Sequence, residues 1–383
     1  ERTDEHRRPG RPKGSPVTPQ CFTALFRRHV LVFDPALLLA LLMVVGISCV
    51  TMYSASYETP DRMVSHVRNL AISFAVMWAV AQLSPGTMMR GAIPLYLLGV
   101  GLLVGVALFG DMSKGARRWL DIGVTRIQPS ELLKIAMPLM LAWYFHRYDG
   151  LARWYHYLIA IVLLAIPVVL IARQPDLGTS ILVFAAGAFV IFLAGLSWKV
   201  IGGSIVGGIA ALPLLWAVMK EYQKQRVLTM LDPTSDPLGK GFHIIQSMIA
   251  VGSGGTHGKG LLQGTQTHLE FVPERTTDFI FAVYAEEFGF VGAVVLLLVY
   301  TMLIGRGLMI AANGTNAFSR LLAGSITLIF FTYAFVNMGM VTGILPVVGV
   351  PLPMLSYGGT AMVTLGFGAG ILMAIARQSK SAR

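Results

Sequence analysis

The chain has 383 residues, 55% of them hydrophobic and 13% charged, with 30 Lys and Arg against 19 Asp and Glu and a formal net charge of +11. A mean hydropathy of +0.67 excludes an ordinary water-soluble domain. The basic excess comes with no nucleic-acid-binding motif, which argues against a nucleic-acid partner. Residues 1–33 form a polar tail, in which Arg2, Arg7, Arg8, Arg11, Lys13, Arg27 and Arg28 stand against Glu1, Asp4 and Glu5. It reads as a disordered cytoplasmic arm that sets topology. From residue 34 to 377 runs one transmembrane domain, followed by a short cytoplasmic tail at 378–383. About ten apolar stretches long enough to cross a hydrocarbon core of roughly 30 Å are predicted. They lie at 35–55, 68–83, 91–110, 130–146, 157–173, 178–195, 200–219, 279–304, 318–341 and 355–376. The fold class is therefore an all-α polytopic membrane protein, with a large extracytoplasmic loop, 220–278, between helices 7 and 8. Pro94, Pro138, Pro167 and Pro213 fall inside spans, where neighbouring helices can re-satisfy the freed backbone groups. Cys21 and Cys49 lie at different depths and predict no disulfide.

With the basic tail inside and ten spans, both termini are expected in the cytoplasm. The outer segments are then 56–67, 111–129, 174–177, 220–278 and 342–354, and every motif-like loop falls on that one side. The first carries Arg118 beside Trp119, then Pro129 and Ser130 as a helix start, with Glu131 and Lys134 sharing a helix face. That pair reads equally as a structural ion pair or as direct site chemistry. Arg118 and Trp119 suit interfacial anchoring, and Arg118 equally suits a phosphate. Asp176 either caps the next helix or joins the site.

In the large loop, residues 221–231 read as an amphipathic interfacial helix broken by Pro233, Pro237, Gly239 and Gly241. The run His243–Val251 is too short to span and reads as re-entrant or interfacial. The stretch Gly252–Gly260 resembles a phosphate loop only superficially, since Ser253 replaces its first glycine and Gly260 its final Ser or Thr. His243, His257 and His268 lack metal-ligand spacing. The loop ends in Glu270, Glu274, Arg275 and Asp278, after which the chain turns apolar. An acid at the mouth of a hydrophobic helix is a candidate for chemistry. Residues 343–359 are apolar but broken by Pro and Gly, which suits the wall of a groove for a greasy ligand. Ser356 has no neighbouring His–Asp pair to activate it.

Together these loops offer carboxylates for proton abstraction and cations for a departing diphosphate, which fits group transfer from a lipid-linked diphosphate. A transporter of the same lipid remains open on this inventory, with Glu286 and Glu287 inside a span as its support. So does a scaffold without chemistry.

Five long motifs carry a resemblance in unbroken order: KGARRWLDIGVTRIQPSELLK (114–134), ARQPDLGTS (172–180), DPLGKGFHIIQS (236–247), LEFVPERTTDFIFAVYAEEFG (269–289) and GILPVVGVPLPMLSYGG (343–359). The chain resembles the SEDS family of RodA, FtsW and SpoVE from about Asp34 to Ala376, and its motif forms are nearer the elongation (RodA) branch. The resemblance implies a ten-helix peptidoglycan glycosyltransferase of the bacterial inner membrane, with its site outside. It would polymerise lipid II during elongation beside a class B penicillin-binding protein of the PBP2 type and other elongation-complex membrane proteins. Carried over by motif, Asp278 matches the family's essential acid, the proposed base. Glu131 and Lys134 match a second catalytic pair. Arg118, Trp119, Asp176, Glu274, Ser356 and Gly358 are the substrate-binding candidates, and Arg117 has no role. A divalent cation, Mg or Mn, is left open beside the diphosphate, with no metal ligand assigned.

Overall fold

The computed structural model describes residues 33–113, 116–121, 126–149, 153–174, 176–219, 221–235, 240–269 and 274–381. The basic tail, Lys114, Pro237, Gly239 and Glu270 lie outside the described residues, as do the side chains of Arg117, Arg118, Arg126, Arg226 and His268.

All ten predicted spans are helices: α1 Pro35–Ala55, α2 Pro60–Ala81, α3 Pro85–Phe109, α4 Pro129–Arg147, α5 Trp154–Arg173, α6 Leu177–Leu193 and α7 Trp198–Val218. After the large loop come the last three, here labelled α11 Ile280–Ala312, α12 Ala317–Val341 and α13 Gly359–Ser381. The loop itself holds α8 Glu221–Leu231, α9 Lys240–Ser253 and the single turn α10 Thr265–His268. Seven of the spans are individually long and apolar enough to cross a membrane, while α6 and α7 have shorter apolar segments. The remaining one, α4, carries Glu131, Lys134 and Arg147.

Proline at the first helical position starts α1, α2, α3 and α4, where its missing N–H costs nothing. Asp34, Ser84, Asp176 and Asn316 cap α1, α3, α6 and α12 through their side chains. Hydropathy misplaced several ends for this reason. The polar first turns of α2 and α3 are helical from Pro60 and Pro85, and α13 starts only at Gly359 because 343–358 is irregular. Gly241, expected to break a helix, lies in the first turn of α9.

The helical fold carries one small addition. Between α3 and α4 the chain forms a small antiparallel sheet, β1 Asp111–Ser113, β2 Ala116–Asp121 and β3 Arg126–Ile127, in that order, with Asp111 opposite Trp119 and Asp121 opposite Arg126. Strands this short have no legible alternation.

Helix α11 is broken at Gly289, whose φ of 65° and ψ of −162° lie outside the helical region. The glycine-rich stretch that mimicked a phosphate loop repairs this break. Phe290 N–H donates to Gly255 C=O at 2.9 Å and Val291 N–H to Thr256 C=O at 3.0 Å. In return Lys259 N–H donates to Glu286 C=O and Gly260 N–H to Glu287 C=O, each at 3.0 Å. A chain break in a helix leaves orphan donors and acceptors, and here one loop satisfies both sets.

The core lies where α13 packs along α2, α11 along α1 and α12, and α4 along α3, α6 and α12. Tyr300, Tyr333, Phe318, Phe330, Leu133 and Met137 are among its fully buried side chains.

Candidate active site

At the end of the bundle that carries the large loop, polar side chains from four helices meet around the irregular segment 343–358. Glu131 and Lys134 sit on the first turns of α4, and Lys134 Nζ lies 2.6 Å from Glu131 Oε1. Lys134 also donates to Tyr333 Oη of α12 at 2.6 Å. The other Glu131 oxygen accepts from Thr364 Oγ1 of α13 at 3.2 Å. Lys134 is only 3% exposed and Glu131 12%. An unpaired charge there would be expensive, and each of the two is the other's counter-charge.

One turn further along α12, Asn337 Nδ2 donates to the backbone carbonyls of Asp278 and Val350, both at 2.8 Å. Tyr333 and Asn337 are four residues apart and share a helix face, so α12 places Asp278 about one turn from Lys134. The Asp278 carboxylate lies against Gly349, where an added Cβ would come within 3.2 Å of Oδ2. Gly349 has a φ of +71°, which favours glycine. On the far side of that loop, Gly178 approaches so closely that a Cβ would sit 2.5 Å from Val348 O.

Gly178 fixes the start of α6 and with it Asp176. Asp176 Oδ1 accepts from Thr179 N–H at 3.3 Å, the capping geometry, while Oδ2 accepts from Gln128 Nε2 at 3.1 Å. Gln128 precedes α4, so the chain of contacts returns to Glu131. Asp278, Asp176, Glu131 and Lys134 thus border one cluster, linked through Gly349, Gln128, Tyr333 and Asn337.

Other sequence candidates stand elsewhere. Glu274, at a φ of +51°, is exposed and accepts from Thr277 Oγ1 through its carboxylate. Ser356 is buried, and its Oγ accepts from Leu352 N–H at 2.7 Å, closing the turn before Gly358. The Gly358 carbonyl accepts from Met362 N–H as α13 begins. Trp119 is half-buried on β2, and Arg118 has its backbone on the same strand. Arg275 clamps the loop. It donates to Ala55 O, Thr267 O and Glu58 Oε2 at 3.1, 2.9 and 2.7 Å. Arg62 Nη1 of α2 donates to Thr276 Oγ1 at 3.0 Å, and Tyr357 N–H to Thr276 O at 2.8 Å.

Glu286 and Glu287 serve the loop. Glu286 accepts from Lys259 Nζ, Gln266 N–H and Thr267 N–H, and Glu287 from Ser54 Oγ and Leu262 N–H. Among the described residues no group of three His, Cys, Asp or Glu side chains could hold a metal ion.

Beside the cluster a cavity of about 490 Å³ opens between α2, α3, α4 and α13. Leu95, Ile135, Val363 and Phe367 line it, with Gln128 and Glu131 as polar lining. Such a lining accepts an apolar chain while presenting a carboxylate to whatever polar group it carries.

Comparison with known proteins decides the family. The model of the FtsW, RodA and SpoVE cell cycle proteins matches residues 27–381. The chain belongs to this family. It is 52% identical over 343 residues to peptidoglycan glycosyltransferase MrdB of Escherichia coli strain K12, covering 89% of this chain and 93% of that protein. A chain of a peptidoglycan synthase complex that coordinates polymerization and crosslinking superposes with a TM-score of 0.79 at 32% identity, over 91% of this chain and 98% of that one. The crystal structure of the rod shape determining protein RodA of Thermus thermophilus matches with a TM-score of 0.68 at 28% identity, over 90% and 97%.

Within this FtsW/RodA/SpoVE chain, motif reading passed over Tyr333, Asn337 and Thr364. Of the three only Asn337 carries a signal, because a buried Asn in an apolar helix must find partners for its amide there.

Proposed function

We propose that this chain is a peptidoglycan glycosyltransferase that polymerises lipid II on the outer face of the cytoplasmic membrane. The observation that carries the reading is the cluster joining Asp278, Asp176, Glu131 and Lys134 beside an apolar cavity that Glu131 lines. In the proposed step, Asp278 accepts the proton of the acceptor GlcNAc 4-hydroxyl. That oxygen bonds to C1 of the lipid-linked MurNAc with inversion. The C1–oxygen bond to phosphate breaks, and undecaprenyl diphosphate leaves with the electron pair.

Lys134 is enclosed by Glu131 and Tyr333, so its proposed part is to fix Glu131 at the cavity wall. Asp176 and Gln128 hold the start of α4 against the 348–350 loop. Arg118 and Trp119 are proposed, by motif, as diphosphate and interface contacts, while Glu274, Ser356 and Gly358 shape the loops around Asp278. No step is routed through a divalent cation. The likeness to a synthase complex supports a class B penicillin-binding protein as partner for crosslinking. Both termini are proposed to be cytoplasmic, with residues 34–377 as the membrane domain.

Asp278→Asn keeps the shape and removes the base. Purified in detergent with lipid II, the variant should form no glycan polymer on gels while eluting as wild type from a sizing column. Wild-type-like polymer would refute the assignment of Asp278.

A further inference from the structure

The end of the bundle opposite Asp278 holds a second cavity, also of about 490 Å³. It lies where α4, α6 and α11 end and α12 begins. Phe145, Leu193, Leu308 and Leu321 supply apolar walls, and Asp149 and Arg320 are its charged lining. Gly324 lets α12 approach Leu193, since an added Cβ would sit 2.6 Å from Leu193 Cδ1. From Arg320 to Asn337 is 17 residues of α12, or about 26 Å at 1.5 Å per residue. The cavity is therefore separate from the candidate active site.

Three observations define an occupant. First, Asp149 and Arg320 line the same cavity and are both exposed, yet no ion pair joins them within 4.0 Å. Opposite charges that face one space without closing on each other complement a ligand bearing both signs. Second, the helix poles reinforce the two charges. Asp149 follows the C-terminal, negative end of α4, and Arg320 lies in the first, positive turn of α12. Third, exposed Trp154 and Trp198 and half-buried Tyr148 stand at this same end. Aromatic residues of this kind mark the membrane–water boundary, which puts the charges at headgroup depth and the leucines among acyl chains.

We propose that this cavity binds one phospholipid whose head carries both a phosphate and a primary ammonium, with the phosphate at Arg320 and the ammonium at Asp149. Arginine's forked donors match phosphate oxygens, and the Asp149 carboxylate accepts N–H bonds that a quaternary head lacks. The apolar walls take the upper acyl chain.

The test is native mass spectrometry of the full-length protein released from nanodiscs of phosphatidylethanolamine mixed equally with phosphatidylglycerol or phosphatidylcholine. Wild type should retain phosphatidylethanolamine over both. Arg320→Gln should lower retention of phosphatidylethanolamine and phosphatidylglycerol alike, by about tenfold for one charge-assisted contact. Asp149→Asn should lower phosphatidylethanolamine alone. Leu308→Trp fills the wall without touching either charge and should lower every lipid, which keeps the proposal testable if a charge variant misfolds. Equal retention of the three lipids, retention unchanged in all three variants, or a peptide held in place of lipid would overturn it.

Discussion

Lys134 shows how little freedom the candidate site leaves a single residue. Its ammonium is buried between Glu131 and Tyr333, and Glu131 in turn holds Thr364. Removing one member of a buried ion pair strands the other charge, at a cost of about 3–5 kcal/mol. Glu131→Gln, which strands the more deeply buried Lys134, should therefore lower thermal stability in detergent strongly, and Lys134→Met somewhat less because the stranded Glu131 keeps more solvent contact. The double variant should be markedly more stable than the sum of the two losses, since no charge is left unpaired. A melting-temperature cycle reads this directly, and strict additivity would show that the pair is not coupled. Glu131, Lys134 and Asp278 were legible in the sequence because ionised groups at membrane depth are costly wherever they stand. Tyr333 and Thr364 were not, because a Tyr or Thr in an apolar helix costs little and so carries no signal until its partner is known.

Among elements, the broken helix α11 is the least forgiving. Gly289 has φ +65°, and a Cβ there would lie 2.3 Å from Gly258 N. Gly289→Ala combines strained backbone, on the order of 1–3 kcal/mol, with a clash against backbone that cannot move without losing the loop's four repairing bonds. It should lower the melting temperature and speed proteolysis within 254–269, whereas Gly305→Ala, with open space around it, should do neither. At the opposite end, Asp34 ties α1 to α11 and α13 through Arg306 Nη2 at 2.7 Å and Lys380 Nζ at 3.1 Å. Burial acts to raise the pKa of Asp34, but hydrogen bonds from Arg306 and Lys380 outweigh it and lower the pKa from 3.8 to about 2. Because the folded value lies below the unfolded one, this stabilisation is complete above about pH 4 and lost as pH falls toward 2. The partly exposed cations limit it to on the order of 1–2 kcal/mol. Asp34→Asn should thus melt below wild type at pH 7, with the gap closing between about pH 4 and pH 2. The ten helices were legible from apolar run length, yet their ends were not. Caps and first-turn prolines set them, and hydropathy averages over both. The sheet at 111–127 left no pattern because its strands are two to six residues long.

For the whole molecule, the choice lies between transferring a lipid-linked sugar and carrying it across. Composition left both open, with Glu286 and Glu287 as the hint of a polar path. Those carboxylates are instead occupied by Lys259, Gln266, Thr267, Ser54 and Leu262, which fix the large loop against the broken helix. Below Tyr333, α12 buries Phe330, Ile326, Ala323, Leu322 and Phe318, with the hydroxyls of Thr327 and Ser325 bonded to backbone carbonyls, and α4 buries Leu133, Met137 and Leu141 beside it. A diphosphate headgroup moving between the faces would have to desolvate against that layer, where each unpaired charge costs several kcal/mol. Acting from one face avoids that cost, and the candidate cluster lies at one end. Liposomes carrying the purified protein, with labelled lipid II on one side only, separate the alternatives. Polymerisation should proceed on lipid II presented to the face that carries the large loop, with no transfer of label to the opposite leaflet above protein-free liposomes. Asp278→Asn should stop the polymer and leave that leaflet signal unchanged. Protein-dependent translocation that survives in the variant would mean that the apolar layer opens and that transport is a separate activity of this fold.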